Sequence, residues 1–124
     1  MRIIIDDRLP GLNDVIDACR RNKFAGAKLK EDMTLLCKVA FQNQCKKVYT
    51  NPIFLTFHWY EKSKARNKDN IASAIKFILD GMQEAGVIKN DGWAEIDNWK
   101  NKFYVDKDNP RVEVFIEEII VRTE

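Results

Sequence analysis

The chain has 124 residues, 45% of them hydrophobic and 32% charged, with a formal net charge of +2. That is one domain's worth of an ordinary soluble globular composition, enough for a single modest core. The small positive balance permits a nucleic-acid surface without requiring one, because where the cations sit matters more than their sum.

Arg2 to Asp6 is a short β-branched run and reads as a first strand, broken by Pro10 and Gly11. Met1-Arg-Ile-Ile-Ile5 is too short for a secretory signal or a membrane span. Asn13 or Asp14 can cap a short helix that carries Val15, Ile16 and Cys19 on one side, and Phe24-Ala-Gly-Ala27 reads as a second break. From Lys28 to Gln44, Leu29, Met33, Leu36, Val39 and Ala40 recur at helical spacing. Ile53 to Tyr60 is dense in aromatic and β-branched residues and predicts a well-buried strand. Ile53, Leu55, Phe57 and Trp59 would line one of its faces, with Phe54, Thr56, His58 and Tyr60 on the other.

Glu61 to Lys68 carries Lys62, Lys64, Arg66 and Lys68 without a large apolar side chain, so it reads as an exposed basic loop. Asn70 to Ala85 then places Ile71, Ala74, Ile75, Ile78, Leu79, Met82 and Ala85 on one continuous stripe, which predicts an amphipathic helix. Asp69 or Asn70 suits its N-cap, and Gly86 the left-handed position beyond its last turn. After the Asp91-Gly92 turn, Trp99–Val105 and Arg111–Val121 read as two strands joined as a hairpin across Asp106–Pro110. The order β-α-α-β-α-β-β predicts an α/β fold, a mixed β-sheet with helices packed mainly on one face. No internal repeat and no linker divides the chain, so residues 1–124 read as one domain.

Cys19, Cys37 and Cys45 are odd in number and lack a Cys-x-x-Cys pair, so they are expected to be reduced thiols in a cytoplasmic protein. His58 is the single histidine, which argues against a Cys/His zinc site. Chemistry concentrates instead around the amphipathic helix. Ser73, Lys76 and Asp80 share the side opposite its apolar stripe, Asp69 points near the same direction, and Asp91 follows the helix's far end. Carboxylates for a hard cation, cations for a phosphate backbone and a positioned lysine suit phosphodiester cleavage. Acidic caps and Asp-Gly turns are also ordinary structural features, so the residues alone leave a structural and a catalytic role open.

The segment Arg66-Asn67-Lys68-Asp69-Asn70-Ile71 opens that helix, which continues through Leu79-Asp80-Gly81-Met82 and Glu84-Ala85-Gly86-Val87-Ile88 to Asn90-Asp91. With Leu9-Pro10-Gly11-Leu12-Asn13 upstream, this order resembles the RusA family of phage and bacterial Holliday-junction resolvases. The resemblance covers residues 2–13 and 53–93. It implies an α/β homodimer that binds four-way DNA junctions and makes paired nicks with Mg²⁺ or Mn²⁺ held by aspartates. Carried over position by position, Asp69 and Asp91 match metal-binding aspartates of the family. The family's catalytic lysine falls on Ser73 by direct offset, and on Lys76 when the extra helical turn is allowed for. Asn67 stands where the family motif has its first aspartate; it offers a carbonyl oxygen to a metal but no charge. That substitution keeps open a second reading, a junction-binding protein that does not cut. A third is a protein-contact module, which would show no preference for branched DNA.

Lys28, Lys30, Lys62, Lys64, Arg66 and Lys68 form a candidate phosphate-binding track, to which the resemblance adds Asn13. His58 is expected to be structural, and Trp93 and Trp99 to be core or interface anchors, with base stacking as the alternative. Phe77 lies off the apolar stripe and is expected at a dimer interface or wedged into a junction.

Overall fold

The computed structural model describes residues 1–120 and shows a mixed α/β domain built on one four-stranded sheet. In chain order the elements are β1 (Arg2–Ile5), α1 (Leu12–Arg21), α2 (Lys23–Gln44), β2 (Ile53–Glu61), α3 (Lys68–Ala72), α4 (Ile75–Glu84), β3 (Ile96–Val105) and β4 (Arg111–Glu118). The sheet order is β1-β4-β2-β3, with β2 parallel to β3 and antiparallel to β4, and β1 antiparallel to β4.

Strict alternation in β2 divides the sheet as its sequence predicts. Ile53, Leu55, Phe57, Trp59 and Glu61 are buried, while Phe54, Thr56, His58 and Tyr60 are only partly covered. The buried set joins Ile3 and Ile5 of β1, Val112, Val114 and Ile116 of β4, Cys37 and Phe41 of α2, and Ile78 and Met82 of α4 in one core. Helices therefore cover one face. The indole N–H of Trp59 donates to Asn101 Oδ1 of β3 at 2.8 Å, so the largest core ring leaves no unpaired donor.

The expected hairpin between the last two strands is not formed. β2 lies between β3 and β4, and β3 starts at Ile96 rather than Trp99. The α3–α4 segment is the crossover between parallel β2 and β3, and the 106–110 connection steps over β2. Arg111 pins that connection, donating to Asp106 Oδ2 at 2.8 Å and to the Asn109 carbonyl at 2.9 Å. Alternation within a strand reports its two faces but not which neighbour it takes. β4 ends at Glu118, and the expected end at Val121 lies outside the described residues.

Three helix expectations also change. The second break is confined to Asn22, whose extended backbone ends α1 and whose side chain accepts from Ala25 N at 2.7 Å to start α2. Gly26 lies inside α2 because α1 packs so closely that a Cβ there would press on Cys19. The cap of α1 is Gly11, with the Asp14 carboxylate accepting from its N–H at 2.8 Å. The long amphipathic helix is divided at Ser73–Ala74, where Ser73 Oγ donates to the Asn70 carbonyl at 2.6 Å and Ala74 N reaches Ile71 O at 3.2 Å. A serine hydroxyl that takes a backbone acceptor competes with the regular ladder and tightens the turn. Phe77 is buried in the core, not at the surface. Gly86 takes the expected left-handed conformation at φ 78°, with Val87 N bonded to Met82 O and Gly86 N to Gln83 O.

Candidate functional site

The motif at 66–71 does structural work first. Arg66 is nearly buried and grips Glu61 in a two-pronged pair, Nε to Oε1 and Nη2 to Oε2, each at 2.9 Å. Its Nη1 donates to the Leu9 carbonyl at 3.1 Å. Asn70 Oδ1 accepts from Asn13 N at 3.0 Å, and a Cβ on Gly11 would collide with the Asn70 side chain. The two segments that carry the family resemblance, 57 residues apart in sequence, are thus knitted together. Two expectations change accordingly. Arg66 is largely covered and its guanidinium is paired with Glu61, though it still lines the cleft described next, and Glu61 is a buried strand end rather than part of an exposed loop.

The remaining cations stay at the surface. Lys62, Lys64 and Lys68 are exposed, and Lys64 and Lys68 line a cleft of about 670 Å³ with Asn67, Asp69, Phe103 and Tyr104. Lys68 Nζ lies 5.6 Å from the centre of the Phe103 ring, which steadies its stem. Asn67 is the N-cap of α3, yet its side chain makes no capping hydrogen bond, and Asp69 is exposed. Lys28 and Lys30 do not extend this cleft as one track. Two residues apart on α2, they project to opposite sides; Lys28 pairs with Asp32 at 3.3 Å, and Lys30 lines a second cleft with Ser73, Lys76 and Asp80.

In that second cleft the polar side of the helix converges as its sequence predicts. Lys76 Nζ sits 2.9 Å from Asp80 Oδ1 and 3.7 Å from Asp91 Oδ2. Asp80, hydrogen-bonded to the ammonium, and Asp91 beyond it raise the lysine pKa against the opposing effect of desolvation. The charged ammonium that these carboxylates favour is suited to stabilising negative charge. Asp91 and Lys76 are brought together; Asp69 and Asn67 share the other cleft, with no hydrogen bond or ion pair to either. Among the described residues no three His, Cys, Asp or Glu side chains converge as metal ligands.

No family model matches the chain, and no curated protein matches it. The chemistry rests on the residues themselves. Burial pushes the Cys37 thiol up to about 12, which makes it inert as a nucleophile or metal ligand. No described helix is long and apolar enough to cross a membrane.

His58 lies on the uncovered face of the sheet, among Tyr60, Tyr104 and Phe115, opposite Lys102 on β3 and Glu113 on β4. Desolvation lowers its pKa below 6.5, Lys102 and Lys100 lower it further, and Glu113 opposes them. The unfolded chain takes up this proton near its ordinary value while the folded chain still resists it. Stability is therefore full above about pH 6.5 and declines as pH falls toward the depressed folded value. Thermal midpoints measured from about pH 7 to about pH 5 should fall for the native chain and less steeply for His58→Gln. Parallel profiles would refute this role for His58.

Trp93 corrects the expectation of a core anchor. It is 99% exposed, and Trp99 is 42% exposed. Its exposure leaves the interface and base-stacking alternatives open, and an indole in a loop carries no periodicity that would separate them from a core position.

Proposed function

We propose that the chain is a RusA-like endonuclease of branched DNA, nicking four-way junctions in pairs as a homodimer. The observation that carries the reading is Lys76, near the start of α4 in the segment that the Arg66–Ile71 motif opens, held between Asp80 and Asp91. Asn67 and Asp69 in the Lys64–Lys68 cleft, and Asp91 beside Lys76, carry only oxygen donors, the class that Mg²⁺ or Mn²⁺ takes. The resemblance assigns Asp69, Asp91 and the Asn67 carbonyl to such an ion, which would supply Lewis acidity and an acidified water for phosphodiester hydrolysis. In this fold, however, Asp91 stands apart from the other two, and the three do not form one ligand set. Lys76 stabilises charge on the phosphoryl oxygens. Lys62, Lys64 and Lys68, with Asn13 and Lys30, hold the backbone and orient it.

Two observations favour a second reading, junction binding without cutting. Asn67 brings no charge to the donor set, and the carboxylates of the two clefts do not converge in one group. Incubation with a labelled four-way junction and matched linear duplex, in Mg²⁺, Mn²⁺ or EDTA, separates the readings. Paired, metal-dependent nicks on the junction alone are expected. Junction binding without nicks would install the second reading, and equal retention of junction and duplex at one salt concentration would overturn both.

A further inference from the structure

Trp93 is the largest side chain in the fold left almost wholly in water. Complete exposure of an indole forgoes the favourable burial of a large apolar surface, and here the backbone that presents it is tightly held. Gly92 O accepts from Glu95 N at 3.2 Å and Ile96 N at 3.0 Å, Gly92 N donates to Glu95 Oε1 at 3.2 Å, and Glu95 O accepts from Ile53 N at 2.9 Å. A firm turn anchored to β2 and β3 therefore carries a ring that packs on nothing buried. Trp99, half exposed on edge strand β3, is its counterpart. The two indoles, with Asp91, Ile96, Asp97 and Asn98, line an open cleft of about 300 Å³.

We infer that this cleft receives one unstacked nucleobase of bound DNA, stacked on Trp93. The inference rests on the reading that the chain binds branched DNA, and it names the feature of that DNA which the site would recognise. Three observations favour a base over other occupants. The exposed Trp93 ring offers a flat π-surface on which any base stacks. Asp97 and Asn98 supply hydrogen-bonding groups of the kind that read base edges. The carboxylates of Asp91 and Asp97 disfavour a phosphate in the cleft itself. Fully stacked duplex presents no free base face, whereas a branch point presents bases whose stacking is interrupted. The cleft would thereby contribute selectivity for junctions over duplex, which phosphate contacts alone do not provide.

The test is a four-way junction with 2-aminopurine next to the crossover, titrated with the native chain, Trp93→Ala and Trp93→Phe. Because Trp93 is exposed, neither change should perturb the fold. Native protein is expected to change the 2-aminopurine emission on binding. Trp93→Ala should lose that change and bind the junction about 5- to 100-fold more weakly, with duplex affinity unaltered. Trp93→Phe, which keeps an aromatic face, should recover most of both. Equal junction affinity and equal emission for native chain and Trp93→Ala would overturn the inference and leave the DNA-binding reading standing. Failure of the native chain to bind any DNA would overturn the DNA-binding reading, and the inference with it.

Discussion

Arg66→Ala is expected to destabilise the fold by about 3–5 kcal/mol, because it strands a buried carboxylate. The Glu61 side chain is 8% exposed, and Arg66 supplies both of its close hydrogen bonds. Only Arg8, at 3.6 Å, remains to offset the lost charge, which places the effect toward the lower end of that range. Arg66 also ties Leu9 to the start of the motif, so its loss loosens the contact between the N-terminal segment and α3. Urea or thermal denaturation should show the change as a drop in midpoint of roughly 10 °C or more. Lys62→Ala and Lys64→Ala, at exposed positions, should each stay within about 0.5 kcal/mol of the native chain. Glu61→Met combined with Arg66→Met should recover much of the loss, since removing both charges leaves none unpaired. If Arg66→Ala is as mild as the lysine changes and instead weakens DNA binding, Arg66 is a surface phosphate ligand and the buried pair is not what holds this corner.

Asn67→Asp should raise metal-dependent junction nicking by at least roughly tenfold, a scale set by the loss of activity when groups around a metal are removed. Asn67 caps α3 without a side-chain hydrogen bond, so the exchange disrupts no observed contact. It adds a negative charge to a cleft that already holds Asp69, Lys64 and Lys68. The companion variant Asp69→Asn should abolish nicking while junction affinity is retained, since Asp69 makes no ion pair in the fold. Rates of the native chain, Asn67→Asp and Asp69→Asn at several Mg²⁺ concentrations provide the measurement. An unchanged rate in Asn67→Asp, with tight metal binding already present in the native chain, would show that the amide is no handicap. Absence of nicking in both native chain and Asn67→Asp would move the protein to the binding-only reading.

The sequence by itself determined the strong local signals. Alternation in Ile53–Glu61 divided the sheet into a covered and an open face, as observed. The apolar stripe from Ile71 to Met82 located the core side of the α3–α4 segment, and Gly86 marked its end through a backbone conformation that few other residues take. Part of the polar side was equally legible: Ser73, Lys76 and Asp80 line one cleft as helical spacing puts them, whereas the return of Asp91 to Lys76 and the separation of Asp69 were decided by the fold.

Tertiary structure alone decided which strands pair, which charges are interior and where the indoles point. β3 and β4 look like hairpin partners because a ten-residue strand, a short polar connection and another strand fit that pattern. Only the crossover through α3 and α4 inserts β2 between them. Arg66 and its lysine neighbours read alike as cations, because sequence does not show that Glu61 ends β2 on the core side with Leu9 beside it. Trp93 reads equally as a core or an interface anchor from its chemistry, and the pinned 91–96 turn leaves it in solvent. The physical reason is common to all three. Periodicity and capping act over a few residues along the chain, whereas strand order, charge burial and ring exposure depend on contacts between segments far apart in sequence, from Leu9 against Arg66 to Glu61 against Asp106.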